Sequence, residues 1–424
     1  MAASKRMSQS FTLEPPQFPK AINEPDDVER WVEDWRNVLA KDLIDSRIVD
    51  IDGETSVEEA CEIVLSENIP CLAVRASESE EQYSGLFDWG DVNAFLTLAA
   101  TRHTSPRDDL IDNSRAVAIV SAARAGHVPV RLVSNLSEKN PLEMLPDTAS
   151  IIALLEIFSR GAHRVLIRAS GSGPTSFLGI VSDRRLLTWF AEYKPTAAFL
   201  ETHLHSLSLP SLHLFSAVIT ATSTSSVLDA MRLMSEEGVS SVAVLDDDTG
   251  VLLSAVSVTD IGRLVVPSQS KQILTMPLHQ FISLIKAPDG STDGADRYPV
   301  YAVSPSSLLS YTIQKLLATN SHRLFITRET NGAASPIIAS AHIPLTGVVS
   351  IVDILSLFAR LAHLDVDPAR MQRNRRASTA STNSAHSASG RSASSHRSGG
   401  SVSRTPSLRT SAGANESGGS LAKG

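Results

Sequence analysis

Four short segments of the chain repeat one phrase: GLFDWGDVN from Gly85, GIVSDRRLL from Gly179, SAVSVTDIG from Ser254 and GVVSIVDIL from Gly347. Each joins an apolar strand tail to a small polar residue and then to an apolar helical run. Such a repeat constrains the fold more than composition does, because each copy is one small unit that must bury its apolar face against another. The comparable turn positions are Asp91, Arg185, Asp260 and Asp353. Asp91 and Asp260 stand 169 residues apart, and Arg185 and Asp353 stand 168 apart. A two-unit module has been used twice.

The units read alike upstream of the phrase. Ser56 with Glu59 and Ser226 with Asp229 have capping-box spacing, in which a hydroxyl and a carboxylate satisfy the free amides of a helix start. Asp147-Thr148 opens the second unit and Ser304-Pro305-Ser306 the fourth. An apolar helix follows each opening, then a β-rich run: CLAVR, RVLIR, SVAVL and RLFIT. The predicted order is helix–strand–strand–helix. One unit of about 55–60 residues buries little surface alone and leaves open strand edges, so the units are expected to pair.

The ends differ from the repeats. Residues 1–25 are polar and proline-rich and are expected to be disordered. Residues 27–45 carry Val28, Trp31, Val32, Trp35, Val38 and Leu39, the pattern of an amphipathic helix, expected to dock on the first unit. Residues 288–299 form a turn-rich insertion in the fourth unit. From Asp365 onward there are nine basic and three acidic residues, a balance of +6, in a Ser- and Gly-rich stretch expected to be disordered. The preceding 364 residues carry 29 basic and 43 acidic groups, a balance of −14. An acidic body with a basic tail argues against a nucleic-acid-binding domain. No stretch approaches the roughly 18 uninterrupted apolar residues of a membrane helix, and the N-terminus has no apolar signal core. Two cysteines, Cys61 and Cys71, suggest neither a disulfide framework nor a zinc site and fit a reducing compartment.

These repeats resemble CBS domains, the cystathionine-β-synthase type, with four arranged as two Bateman modules. The resemblance covers roughly residues 40–362. The family signature is a glycine, two apolar residues, Ser or Thr, two variable residues and Asp. Gly347, Ser350 and Asp353 meet it in full. The third unit has Ser257 and Asp260 but Ser254 in place of glycine, the first has Asp88 at the hydroxyl position, and the second has Arg185 in place of the aspartate. The implied fold is α+β or α/β: four CBS domains, residues 26–104 (with the leading helix), 105–195, 196–270 and 271–364, in a pseudo-twofold disk between tails 1–25 and 365–424.

The four-unit layout is similar to the γ subunit of AMP-activated protein kinase, which also carries His-Arg at the middle strand of its second and fourth units. Here these are His163-Arg164 and His322-Arg323. With its Trp-rich first helix and Ser-rich basic tail, the whole chain resembles the fungal SDS/MOC-type CBS proteins. That resemblance implies a non-enzymatic regulator of Ser/Thr protein phosphatase signalling in the cell cycle, DNA replication and cell separation, in cytoplasm and nucleus. Its partner is then a phosphatase or its complex, with no nucleic acid or membrane. The alternative is an adenine-nucleotide-sensing subunit like the kinase γ subunit. No cofactor is required, and AMP, ADP or ATP is the candidate ligand.

The residues themselves allow both. A serine and a free helix start favour a phosphate, an ionised Asp accepts from adjacent ribose hydroxyls, and an arginine from a facing unit clamps phosphate bidentately. The nucleotide candidates are therefore Ser257, Asp260, Ser350, Asp353, Asp91 and Arg184, to which the γ-subunit resemblance adds His163, Arg164, His322 and Arg323. Equally, an Asp in a first helical turn stabilises the helix by itself, and a preceding Ser is an ordinary cap. Two basic positions of the γ-subunit pattern are replaced, by Pro70 and by Glu236-Glu237-Gly238. No GxxxxGK[ST], HExxH, GxSxG or kinase signature occurs, and the twelve histidines show no metal-ligand spacing. Ser8 after Lys5-Arg6, Ser378 after Arg375-Arg376, and Thr405 before Pro406 are candidate phosphorylation sites.

Overall fold

The computed structural model describes residues 25–76, 82–102, 114–171, 176–209, 211–212, 218–264, 271–286, 301–327 and 345–365. The expected disordered ends, the insertion at 288–299, Ser8, Ser378 and Thr405 lie outside them or nearly so.

Helix α1 (Pro25–Asn37) leads the chain. The first unit is β1 (Asp50–Ile51), α2 (Val57–Ser66), β2 (Leu72–Arg75), β3 (Tyr83–Phe87) and α3 (Trp89–Arg102), followed by α4 (Ser114–Ala125). The second is β4 (Met144–Pro146), α5 (Ile151–Ser159), β5 (Arg164–Arg168), β6 (Phe177–Ser182) and α6 (Asp183–Glu192), followed by the short α7 (Ala197–Leu200). The third is β7 (Thr220–Thr222), α8 (Val227–Glu236), β8 (Ser241–Leu245), β9 (Leu252–Ser257) and α9 (Val258–Leu264), followed by α10 (Lys271–Leu274) and α11 (Leu278–Lys286). The fourth is β10 (Ala302–Val303), α12 (Leu309–Ala318), β11 (Arg323–Thr327), β12 (Leu345–Ser350) and α13 (Ile351–Leu361).

The described residues thus form four small sheets of one design. The middle strand pairs in parallel with a leading strand and antiparallel with the strand after it. Each antiparallel pair shifts register at the same place, after Val74, Ile167, Val244 and Ile326. A bulge repeated four times at one column is the backbone counterpart of the sequence repeat. The leading strands correct the predicted order to strand–helix–strand–strand–helix. They are two or three residues long, too short for an alternating pattern to register.

The helix starts follow the caps with two corrections. Ser226 and Asp229 form the reciprocal box, and Ser56 accepts the Glu59 amide at 3.1 Å. In the second unit α5 starts at Ile151, after Ser150; the Asp147 carboxylate instead accepts the Ser170 amide at 3.2 Å. In the fourth, Ser304 and Ser306 bond to each other at 2.8 Å, and α12 starts later, at Leu309.

The units exchange their connecting segments. The first helical amide of each unit donates to a carbonyl from a linker: Val57 to Val128 (3.0 Å), Ile151 to Val38 (3.0 Å), Val227 to Met276 (3.0 Å) and Leu309 to Thr202 (2.9 Å). The segment before the first unit therefore caps the second, and the segment between them caps the first. The third and fourth units repeat the exchange with the segments before and between them. The same segments cover sheet edges. Ser46 bridges Ile180, the Asn135 amide donates to Leu86 at 3.0 Å, and the Val348 amide donates to Ser211 at 3.1 Å. This close approach explains the signature glycine. A Cβ on Gly347 would lie 2.0 Å from the Leu212 carbonyl oxygen, and one on Gly179 2.5 Å from Ile44.

Helices join units across the two pairs. Leu154, Phe158, Phe190, Ile313, Leu316 and Phe358 share one core between the second and fourth units, while Val64, Phe95, Met231, Met234 and Ile261 share another between the first and third. Leu86 and Ala73 of the first sheet cluster with Leu166 and Ile180 of the second. The leading helix departs from expectation twice. It ends at Asn37, with a 3-10 turn at Ala40–Leu43. It also docks on the second and fourth units rather than the first, because Trp35 is fully buried with ring centroids 5.0 Å from Phe190 and 6.1 Å from Phe358. An amphipathic stripe says that a face is buried, but not against what. No helix among the described residues is long and apolar enough to cross a membrane.

Candidate functional site

The four strand–helix junctions carry the candidate residues, and each spends its polar groups differently. In the third unit Asp260 Oδ2 accepts from the Ser257 hydroxyl (2.7 Å) and amide (2.9 Å), and its own amide donates back to Ser257 Oγ at 3.2 Å. The fourth repeats this between Ser350 and Asp353 at 2.7, 2.9 and 3.2 Å, with the Ser211 hydroxyl donating to Asp353 Oδ1 at 3.4 Å. Asp353 is buried, and burial pushes its carboxyl up, opposed by the Ser350 bonds and by Arg323. These are reciprocal caps in which one carboxylate oxygen is fully engaged.

Asp91 is committed to the linker. Its carboxylate accepts from the backbone amides of Ser137 (2.9 Å), Asn135 (3.2 Å) and Asp88 (3.2 Å), and it is 1% exposed. Burial and the adjacent Asp88 carboxylate push it up to about 7, against the pull of Ser137. Asp88 takes the cap role itself, accepting the Gly90 amide at 2.7 Å.

The second unit departs furthest. Ser182 caps α6 by accepting the Arg185 amide at 3.1 Å and donates its hydroxyl to Asp45. Arg185 thus serves through its backbone where the family has a carboxylate. Arg184 points away from the junction, its guanidinium donating to the Leu316 carbonyl (3.2 Å) and the Ser321 carbonyl (3.5 Å) at the end of α12. Lys139 does the same at the end of α8, donating to Val239 at 2.6 Å and Met234 at 3.4 Å. Cations at helix C-termini satisfy orphan carbonyls and the helix dipole.

The two His-Arg pairs meet. His163 and His322 have ring centroids 4.8 Å apart. Asp183 Oδ2 lies between them, 2.7 Å from His163 Nδ1 and 3.7 Å from His322 Nδ1. Although burial pushes the Asp183 carboxyl up, the two histidines hold it well below the usual carboxylate range. Burial pushes His322 down, opposed by Asp183. Arg164 reaches back to Asp88 of the first unit at 3.6 Å, and Arg323 reaches to the Ser240 hydroxyl of the third at 3.4 Å. Glu236 is exposed and Glu237 half-buried, at the end of α8.

Asp183 escaped the sequence reading. Its column, immediately after the cap residue, holds Trp89, Val258 and Ile351 in the other units. Aligning the four repeats at that column would have shown one acid among three apolar residues. Other chemistry is sparse. Cys61 and Cys71 are free and buried, and burial pushes their thiols up to about 12 and about 11, so neither is a ready nucleophile. His203 and His205 are exposed and bond the backbone of residues 305–306.

The repeated sheets, the swapped linkers and the four capped junctions define a CBS-domain protein. A CBS domain family model matches residues 215–266, the third unit. The crystal structure of protein MJ1225 from Methanocaldococcus jannaschii, described as a candidate archaeal homologue of γ-AMPK, superposes with a TM-score of 0.50 at 14% identity. The match covers 76% of this chain and all of that one, a likeness of fold. Among curated proteins, sds23 of Aspergillus niger is 32% identical over 394 residues, covering 81% of this chain and 76% of the relative. SDS23 of Yarrowia lipolytica is 31% identical over 373 residues, covering 82% and 70%. The chain belongs to the SDS23 family.

Proposed function

We propose that this protein is a non-catalytic regulator that works through protein contacts, with a Ser/Thr protein phosphatase or its complex as partner. The process is cell-cycle progression, DNA replication and cell separation, in cytoplasm and nucleus. Its four CBS domains, 26–104, 105–195, 196–270 and 271–364, pair as two Bateman modules in a pseudo-twofold disk whose segments 38–46 and 128–135 trade places. The partner class follows the family resemblance. Phosphorylation at Ser8, Ser378 or Thr405 would lower the positive charge of the ends and tune the contact.

One observation carries the scaffold reading. Four of the groups that would grip a nucleotide are engaged within the protein: Asp91 by linker amides, Asp260 and Asp353 by their own caps, Arg184 by the end of α12. The test is a binding assay between the purified full-length chain and a purified phosphatase catalytic subunit, read by light scattering and by phosphatase activity. A defined complex with altered activity is expected. No complex at about 10 μM of each, weaker than roughly 7 kcal/mol, would sink the partner assignment.

The convergence of two imidazoles 4.8 Å apart, flanked by Arg164 and Arg323, favours a second reading, adenine-nucleotide sensing. An anion bound there would face the Asp183 carboxylate, which repels it, so the first reading stands ahead.

A further inference from the structure

Asp183 stands where the first, third and fourth units bury Trp89, Val258 and Ile351. An acid buried at an apolar column costs stability unless it is matched. The matching groups come from both sides of the contact between the second and fourth units. His163 is on its own unit and His322 on the other, and the three side chains offer one donor atom each, all within 4.8 Å of one another. The carboxylate is held from behind, because the Arg184 amide donates to Oδ1 at 2.7 Å and leaves Oδ2 turned to the two rings. Backbone bonds fix the rest of the frame. The Asp183 amide donates to the His163 carbonyl at 3.0 Å, and the Ile351 amide donates to the His322 carbonyl at 3.0 Å.

We propose that His163, Asp183 and His322 form a binding site for one divalent transition-metal ion of the Zn²⁺ class, bridging the second and fourth units. Two imidazoles and a carboxylate are a borderline-soft set suited to zinc or its neighbours rather than to Mg²⁺ or Ca²⁺, which favour oxygen cages. Bonds of 2.0–2.1 Å in tetrahedral array put donors about 3.3 Å apart. The 2.7 and 3.7 Å separations from Asp183 Oδ2 already bracket that value. The imidazole side chains are 18% and 33% exposed while Asp183 is 2% exposed, so the rings are the ligands with solvent beside them. Two cations stand nearby without claiming the carboxylate: Arg164 pairs with Asp88, and Arg184 is spent on the carbonyls at the end of α12. Three protein ligands leave a fourth position open to water or to a donor from a partner. The ion would tie the start of α6 in the second unit to the turn before β11 in the fourth, and so link its occupancy to the packing of the second unit on the fourth.

The experiment uses the full-length protein stripped with a chelator. Zn²⁺ is titrated against a colorimetric competitor, and Co²⁺ is followed by its visible spectrum. One equivalent of Zn²⁺ should bind and raise the melting temperature. Co²⁺ should give weak d–d bands with no thiolate charge-transfer band, because both cysteines lie elsewhere. Asp183→Asn and His322→Gln should each weaken Zn²⁺ at least tenfold, while His203→Gln, in the exposed histidine pair, should leave it unchanged. Circular dichroism of the metal-free variants checks folding. If Asp183→Asn does not fold, His322→Gln, at a partly exposed position, decides alone. Failure of the wild type to retain an equivalent at micromolar free zinc, a thiolate band, or an affinity indifferent to His322→Gln would each overturn the site.

Discussion

The Asp91 carboxylate accepts the Ser137 amide at 2.9 Å across 46 residues of chain. This bond pins the segment between the first and second units onto the first, so a residue placed by the family signature holds the fold together. Asp91→Ala would take this acceptor from the half-buried Ser137 and Asp88 amides and leave the Asn135 amide only the Leu86 carbonyl. The expected cost is about 1–3 kcal/mol, read as a lower urea midpoint. A loss under about 0.5 kcal/mol, the range of ordinary surface changes, would contradict the clamp.

The same carboxylate makes stability depend on pH. Its folded value is about 7, against about 3.9 in an unfolded chain. The folded state therefore binds the proton more tightly. That stabilising contribution is complete below pH 4 and is lost as pH rises through 7. Asp91→Asn imitates the protonated carboxyl and does not titrate. Denaturant melts of both proteins at pH 5.5 and pH 8 should show the wild type losing stability relative to the variant at the higher pH. A difference that stays constant, or reverses, would count against a raised carboxyl.

The signature glycine of the fourth unit is expected to act through close approach. Gly347→Ala places a methyl 2.0 Å from the Leu212 carbonyl oxygen, so the linker must move. Overpacking of this kind costs about 1–3 kcal/mol, visible in thermal melts. An unchanged melting temperature would mean that the linker does not lie against β12 in solution.

The leading helix supplies a fourth test. Trp35→Ala should cost about 3–5 kcal/mol, as for large aromatic deletions in cores. Its indole Nε1 has no hydrogen-bond partner among the described residues, so Trp35→Phe loses volume but no bond and should cost about 1–2 kcal/mol. Equal losses for the two variants would rule out a mainly packing role. Leu166→Ala, at a fully buried position of the second unit's middle strand, should cost about 2–4 kcal/mol in denaturant melts.

Much of this architecture was legible before the structure. Arg164–Arg168, Ser241–Leu245 and Arg323–Thr327 are strands over the segments that their β-rich runs predicted, because β-branched and aromatic residues bounded by turns leave few alternatives. Local caps such as Ser226–Asp229 were equally readable. The exchange of linkers was not, since bonds such as Val57 to Val128 run between backbone groups and leave no mark in side-chain pattern. For the same reason the address of Trp35 was missed. Asp183 was missed because it sits one residue from the signature positions, and its meaning depends on His322, 139 residues away.

Calorimetric titration of the full-length protein with AMP, ADP and ATP, alongside thermal melts of Asp353→Ala, is the most direct test of whether the signature carboxylates serve the scaffold or a ligand. If they serve the scaffold, no saturable heat develops up to about 1 mM nucleotide, an affinity of roughly 4 kcal/mol. Asp353→Ala then lowers the melting temperature, through a lost cap costing about 0.5–2 kcal/mol. Saturable binding in the micromolar range, weakened tenfold or more by Asp353→Ala, would contradict the scaffold reading and make this protein a nucleotide sensor.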